Sequence, residues 1–155
     1  MAVVQTIAEL REILHAHPGR IIGLDVGEKT IGVAISDRGM KIASPKFTLE
    51  RASRKKDAQK IIDFCTEQEV VGMVIGLPLN MDSTEGTRCV VARMIGGLFT
   101  AITNMPIFYQ DERFSTMGME RELIAIDMTR KRRGEIIDKL AASKILQTAL
   151  DQIAT

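Results

Sequence analysis

RIIGLDVGEKTIGVAISDRGMKIASPKFTL, residues 20–49, decides the fold. Residues 20–27 form a short apolar run closed by Gly27, which reads as a strand. Residues 28–30 (EKT) make a tight turn into a second strand at 30–37, where Ile31, Val33 and Ile35 alternate with smaller residues. Arg38-Gly39 is another turn, and a third strand runs over 41–49. Strands joined by turns this short are antiparallel neighbours. Pro45 has no amide hydrogen to give to a ladder, so the third strand is expected at a sheet edge or with a bulge.

Downstream the apolar period changes. Ala58, Ile61, Ile62 and Cys65 share one stripe of a helix over 53–68. VVGMVIGLP, residues 70–78, is almost continuously apolar, as in a strand covered on both faces. A helix is expected over 84–103 with Val90, Val91, Met94, Ile95 and Leu98 inward. Asp82 and Glu85 have a capping-box-like spacing at its start. Residues 105–110 read as a fifth strand, and Ser115 can cap a helix reaching about Ile126. A basic loop and a last helix from about Glu135 to Gln152 follow. Upstream, Val4, Ile7, Leu10 and Leu14 suggest an amphipathic helix at 4–16, ended by His17-Pro18-Gly19. No repeat or linker interrupts the chain, so residues 1–155 are expected to form one domain with a helical extension at about 4–16. The expected class is α/β: a mixed five-stranded sheet, three antiparallel strands and then two parallel ones, with helices on both faces. Strand one is central and runs parallel to strands four and five.

Composition narrows the function classes. With 155 residues, 45% hydrophobic and 26% charged, the chain has ordinary globular proportions. Its apolar runs fall well short of the ~18–20 residues of a membrane helix. The start, MAVVQTIAELRE, has neither a basic segment nor an apolar core of a signal peptide, so the expected location is the cytoplasm, away from membranes. Cys65 and Cys89 form no CxxC or Cys/His pattern and are expected to be free and buried. The net charge of +1 conceals two basic blocks. Arg51, Arg54, Lys55, Lys56 and Lys60 fall within ten residues around one acid, Asp57, and Arg130, Lys131, Arg132 and Arg133 are consecutive. Such runs suit either solvated faces or a polyanionic partner.

The parallel strands bring their carboxyl ends to one edge of the sheet, where open α/β sheets bind ligands. Strand one ends in Leu24-Asp25-Val26-Gly27, strand four in Gly76-Leu77-Pro78-Leu79-Asn80, and strand five in Asp111-Glu112-Arg113. Asp25 interrupts a buried strand, so as an ion it needs a partner, either a metal or a base such as Lys29 or Arg113. Gly23 and Gly27 leave room beside it. Asp138 in the last helix is followed at three and four residues by Ala141 and Ala142, a small face that lets the helix lie close to the sheet. Asp111 and Glu112 could instead be a solvated loop pair, or Arg113 could pair with Glu85, and Asp138 could merely complement its helix N-terminus. Two carboxylates ~4–5 Å apart repel by roughly 3–4 kcal/mol at an effective dielectric of about 20. Asp25, Glu112 and Asp138 together therefore call for Mg2+ or Mn2+, in a pair that activates water and stabilises a phosphodiester leaving oxygen. There is no histidine-rich cluster for zinc, no P-loop and no GxSxG elbow, and the His15/His17 pair lies at the end of the leading helix.

GLDVGEKTIGVAISD (23–37), VIGLPLNMDSTEG (74–86), DERFST (111–116) and IDKLAASKILQ (137–147) together resemble the YqgF (RuvX) family. The four blocks span most of residues 20–150. The resemblance implies an RNase H-like fold and a metal-dependent endonuclease with Asp25, Glu112 and Asp138 at the acidic positions. It implies a nucleic-acid substrate, either the 5′ end of precursor 16S rRNA or a DNA junction. The latter would require a dimer, whereas the former allows a monomer. Ser83 stands where the family commonly has Gly. On this reading Arg113 and Lys29 hold phosphate, Asn80 positions the strand, and Arg54, Lys55, Lys56, Arg130, Lys131, Arg132 and Arg133 bind flanking backbone.

Two other classes compete. Asp-x-Gly at a hairpin start also resembles the phosphate loop of actin-like ATPases and sugar kinases, but these grip nucleotide between two such domains. A non-catalytic nucleic-acid-binding module is the other. Its base-stacking version is disfavoured by an aromatic count of Phe 5, Tyr 1 and Trp 0.

Overall fold

The computed structural model describes residues 3–80, 82–112 and 130–154. Its elements are α1 (Ile7–Ala16), β1 (Arg20–Val26), β2 (Thr30–Ser36), β3 (Ala43–Glu50), α2 (Arg54–Glu67), β4 (Val70–Leu77), α3 (Thr87–Ile102), β5 (Ile107–Asp111) and α4 (Arg130–Ala154). The sheet order is β3-β2-β1-β4-β5. β1 pairs antiparallel with β2 and parallel with β4, while β3 and β5 form the edges. The expected topology is therefore present, with β1 central.

Pro45 satisfies both of its expectations: β3 is an edge strand, and its register slips opposite Val33 and Ala34. Val33 faces Phe47 and Ala34 faces Pro45, so Lys46 is the extra residue of the bulge.

Helices cover both faces of the sheet. On one face Ile22, Leu24, Val26, Ile31, Val33 and Ile35 pack with Ile61 of α2 and Ile95 and Phe99 of α3. On the other, Ile21, Ala34 and Val74 pack with Ala142, Ile145, Leu146 and Leu150 of α4 and with Leu10 and Leu14 of α1. The leading helix thus belongs to this second core. Both cysteines are free and buried, one on each helix of the first face.

Several local expectations need correction. The leading helix starts at Ile7, where the Thr6 side chain caps Glu9 N–H. Val4, read as part of its stripe, instead donates its N–H to the Ile107 carbonyl and extends the edge of the sheet. α3 starts at Thr87 with Gly86 as an uncapped N-cap. Asp82 does not cap the helix: it accepts from the N–H and hydroxyl of Thr84, closing a turn within the loop. The buried stripe of α3 is Cys89, Ala92, Ile95, Gly96 and Phe99, while Val90 and Met94 are exposed. Ile95 and Phe99 fill this stripe beside smaller residues, and at Gly96 side chains of β4 and β5 leave no room for a larger one. A Cβ on Gly96 would collide with the Tyr109 hydroxyl. Residues 130–133 are not a loop, since α4 already begins at Arg130. The expected helix after Ser115 lies outside the described residues, as does Arg113.

Candidate active site

β1 carries Asp25 inward at the carboxyl edge of the sheet, opposite Gly32 of β2. Alternation puts Ile21, Gly23 and Asp25 on the α4 face. Added Cβ atoms would meet the Leu146 side chain and Ala142 carbonyl from Gly23, and the Asp138 carbonyl from Gly32. Two strands thus need glycine for the helix to come this close. Ala141 and Ala142 are fully buried against the sheet, as their small size suggested. The Asp138 carboxylate accepts a 2.5 Å hydrogen bond from the Thr30 hydroxyl.

Glu112 follows β5, and its N–H donates to the Leu77 carbonyl, which extends the β4–β5 pairing by one bond. Its carboxylate sits over Gly76, where a Cβ would strike Glu112 Oε2 and the Ile145 side chain. Glu112 Oε2 is buried and has no hydrogen-bond partner among the described residues.

Asp25 stands within electrostatic reach of both other acids. Burial pushes the Asp25 carboxyl up to about 6, opposed by Arg88 and reinforced by Asp138. Burial pushes Glu112 up to about 8, and the Asp25 charge adds to it. At neutral pH the pair therefore resists carrying two negative charges. Among the described residues, however, no three acidic, histidine or cysteine side chains already stand in ligating geometry. Asp25 turns to Arg88, and Asp138 turns to Thr30.

Arg88 was not anticipated from sequence. It stands in the first turn of α3, and its Nη2 lies 3.2 Å from Asp25 Oδ1. The base expected beside Asp25 was Lys29 or Arg113, but Lys29 is exposed on the β1–β2 turn. Glu85, the other acid considered for Arg113, forms a two-pronged pair with Arg93 at 2.6 and 2.8 Å. Only the placement of α3, with its start three residues later than the sequence suggested, brings Arg88 over the strand ends.

The remaining expected contacts are scattered. The Asn80 side-chain amide donates to the Thr84 hydroxyl, and its carbonyl oxygen on the backbone accepts from Ser83 N–H, so Asn80 organises its own loop. Ser83 has φ 70°, a left-handed conformation that glycine adopts most easily. Lys29 offers its carbonyl to Arg51 N–H. Arg54 reaches Met94 Sδ at 3.2 Å, while Lys55 and Lys56 are exposed. Arg132 is exposed on α4, and the side chains of Arg130, Lys131 and Arg133 lie outside the described set.

Asp57, read as the sole counter-charge of the first basic block, is fully buried. It accepts from Arg51 Nε at 3.0 Å and from Ala52 N–H at 3.1 Å. Arg51 Nη1 in turn donates to the Gly27 carbonyl at 2.9 Å. One arginine thus ties the turn after Asp25 to the start of α2 and lines a cavity of about 620 Å³ with Glu28, Ser53, Arg54 and Met94.

The fold has solved counterparts. Thermus thermophilus RuvC, bound to a Holliday junction substrate, superposes with a TM-score of 0.56 at 10% identity, over 88% of this chain and 97% of that one. Fowlpox virus resolvase with Holliday junction DNA gives 0.55 at 12%, over 88% and 99%. The fold is therefore the RNase H-like one. The family model described as RuvX, Holliday junction resolvase, matches residues 19–152, and the chain belongs to this family. Relatives named "Putative pre-16S rRNA nuclease" are 46% identical in Bradyrhizobium sp. strain ORS 278, over 88% of this chain and 85% of that one. They are 44% identical in Rhodospirillum centenum, over 97% and 82%, and 42% in Rhizobium meliloti, over 100% and 93%. The protein is a nuclease of the RuvX family.

Proposed function

We propose that the chain hydrolyses phosphodiester bonds at Asp25, Glu112 and Asp138 with divalent cations, Mg2+ or Mn2+, and that its substrate is the 5′ end of precursor 16S rRNA. The observation that carries the site is the Glu112 carboxylate: a buried acid, one oxygen without a partner among the described residues, beside a second buried acid. Burying such an oxygen unpaired costs the protein stability, which a bound cation would recover. The donors are all carboxylate oxygens, the set that hard cations prefer. Asp25 lies between the other two and would be the shared ligand, with Glu112 and Asp138 flanking it. When bound, two such cations make water nucleophilic and stabilise the departing oxygen.

The protein's own groups do the rest. The Gly27–Arg51–Asp57 chain fixes the strand end that carries Asp25. Thr30 holds the Asp138 carboxylate by one oxygen and leaves the other for a ligand. Arg88, already at Asp25, is placed to meet a phosphate entering there. Lys29, Arg54, Lys55, Lys56 and the 130–133 block are candidates for contacts farther along the strand. The RNA reading rests on the names of close relatives at 42–46% identity, whereas the junction-bound structures are only 10–12% identical. Among the described residues no helix is long and apolar enough to cross a membrane, and an rRNA precursor would be met in the cytoplasm.

The test uses a precursor 16S rRNA 5′-leader fragment and a four-way DNA junction, each with Mn2+, Mg2+ or EDTA. Wild type should cut the RNA in metal only, and Asp25→Asn should fall to background while remaining folded. Paired symmetric cuts in the junction alone would move the assignment to a dimeric resolvase. Wild-type rates in Asp25→Asn would displace the site.

A further inference from the structure

Beyond the acidic cluster, a second cleft opens on the same face of the sheet. It lies between the edge strand β3 and the first turns of α4, and has a volume of about 490 Å³. Lys46, Arg132 and Lys139 line it, with Glu50 the one acid among the described lining residues. Its polar lining does not suit an apolar ligand, and its charge is net positive. Among the described residues no carboxylate forms an ion pair with Lys46 or Lys139.

The backbone places these lysines deliberately. Lys46 is the extra residue of the β3 bulge, and bulges re-aim side chains at functional edges. It also lines an adjoining cleft of about 340 Å³, whose other charged lining residues are Arg20 and Asp37. Lys139 directly follows Asp138 in α4. Thr48, inside the cleft, is paired with Gly32, which itself faces Asp25. β3 thus lies two strands from β1, ~10 Å at a strand spacing of about 4.8 Å. That is within reach of a phosphate a short way along a strand whose scissile group sits at Asp25. By contrast, part of the 51–60 block is already committed, Arg51 to Asp57 and Arg54 to Met94.

We infer that the β3–α4 cleft is a subsite for the sugar-phosphate backbone flanking the cleaved bond, with Lys46 and Lys139 as its phosphate contacts. The inference rests on the nuclease reading for its orientation, but its test needs no cleavage. Backbone contacts of this kind carry little sequence preference and are salt-dependent through counterion release.

The experiment measures binding of fluorescein-labelled single-stranded RNA and DNA oligonucleotides by anisotropy, in EDTA, from low to moderate salt. It compares wild type, Lys46→Gln/Lys139→Gln, and Lys144→Gln as an exposed control elsewhere on α4. Two lost contacts to a single strand should reduce the slope of log affinity against log salt by about 1.4, equivalent to roughly 25-fold weaker binding at 0.1 M salt. Lys144→Gln should match wild type. Loss on both strands assigns the shared phosphate chemistry, and loss on RNA alone assigns the site to RNA. An unchanged slope with affinity within twofold of wild type overturns the inference. In cleavage assays the double variant should raise KM and leave kcat. If wild type cuts nothing yet the slopes differ as expected, the subsite stands and the nuclease reading falls.

Discussion

Removing the Glu112 charge should stabilise the metal-free protein, and increasingly so as pH rises. The Glu112 carboxyl is pushed up to about 8 from 4.5, first by burial and then by the Asp25 charge. The folded carboxyl therefore holds its proton where the unfolded one has lost it. The native state binds more protons between pH 4.5 and about 8, so stability declines as pH rises through that window. Glu112→Gln keeps the shape, deletes the ionisation and offers Asp25 an amide donor. Between pH 5 and pH 8.5 the wild type should lose roughly 4 kcal/mol that the variant does not. The side chain is only 8% exposed, so solvent screens little of this. Urea unfolding in EDTA, followed by far-UV circular dichroism because the chain has no Trp, measures both proteins at both pH values. Mn2+ should flatten the wild-type dependence and leave the variant's unchanged. If the difference between the two proteins stays within about 0.5 kcal/mol across the range, the buried, cation-seeking carboxylate is refuted.

Three further outcomes follow from the same geometry. Arg88→Met removes the cation that competes for Asp25; because Arg88 is half-exposed, the pair contributes at most about 1 kcal/mol, so calorimetry should show Mn2+ binding up to about fivefold tighter. Gly32→Ala places a Cβ against the Asp138 carbonyl and should cost about 1–3 kcal/mol in thermal melts while abolishing cleavage, since α4 must retreat from Thr30. Ser83→Gly relieves a left-handed non-glycine residue and should raise stability by about 1 kcal/mol in scanning calorimetry.

What the sequence made legible is what alternation and turn chemistry control. The three-strand hairpin series, the parallel β4 and β5, and the Pro45 bulge all follow from local rules. So do the α2 stripe of Ala58, Ile61, Ile62 and Cys65, each of them buried. The positions of Asp25, Glu112 and Asp138 at one sheet edge followed from topology plus the glycines and alanines beside them. What escaped depends on contacts between elements. The inward face of α3 was assigned from hydrophobicity and caught Ile95, but Cys89, Ala92, Gly96 and Phe99 also face inward, and at Gly96 Tyr109 and Ile75 occupy the space that a side chain would need. Arg88 carries no pattern of its own in the sequence; its contact with Asp25 depends on α3 beginning at Thr87. Asp57 lay inside a basic run that suited either a solvated face or a polyanionic partner, yet it is the buried anchor of Arg51. No single-residue pattern signals a side chain whose partner is six residues away across a turn.

The site and the second core depend on the same close packing. Gly23, Gly32 and Gly76 remove side chains from the α4 face of three neighbouring strands, and Ala141 and Ala142 remove them from the helix. The helix can then settle onto the sheet, which buries Asp25 and brings Asp138 to Thr30. Ile145 touches the space over Gly76 beside Glu112, while Ala149, Leu150 and Ile153 lock the same helix into the core shared with Leu10 and Leu14 of α1. Apolar contacts a dozen residues from Asp138 thereby fix where its carboxylate stands. The desolvation that raises the Asp25 and Glu112 carboxyls is a direct result of this packing, because a looser helix would admit water and let both acids ionise at ordinary pH. A protein built only for stability would gain by replacing these acids with apolar residues. Their presence in a tightly packed layer is understandable if a cation completes the site, and the affinity for such a cation would then depend on the fit of α4 on the sheet.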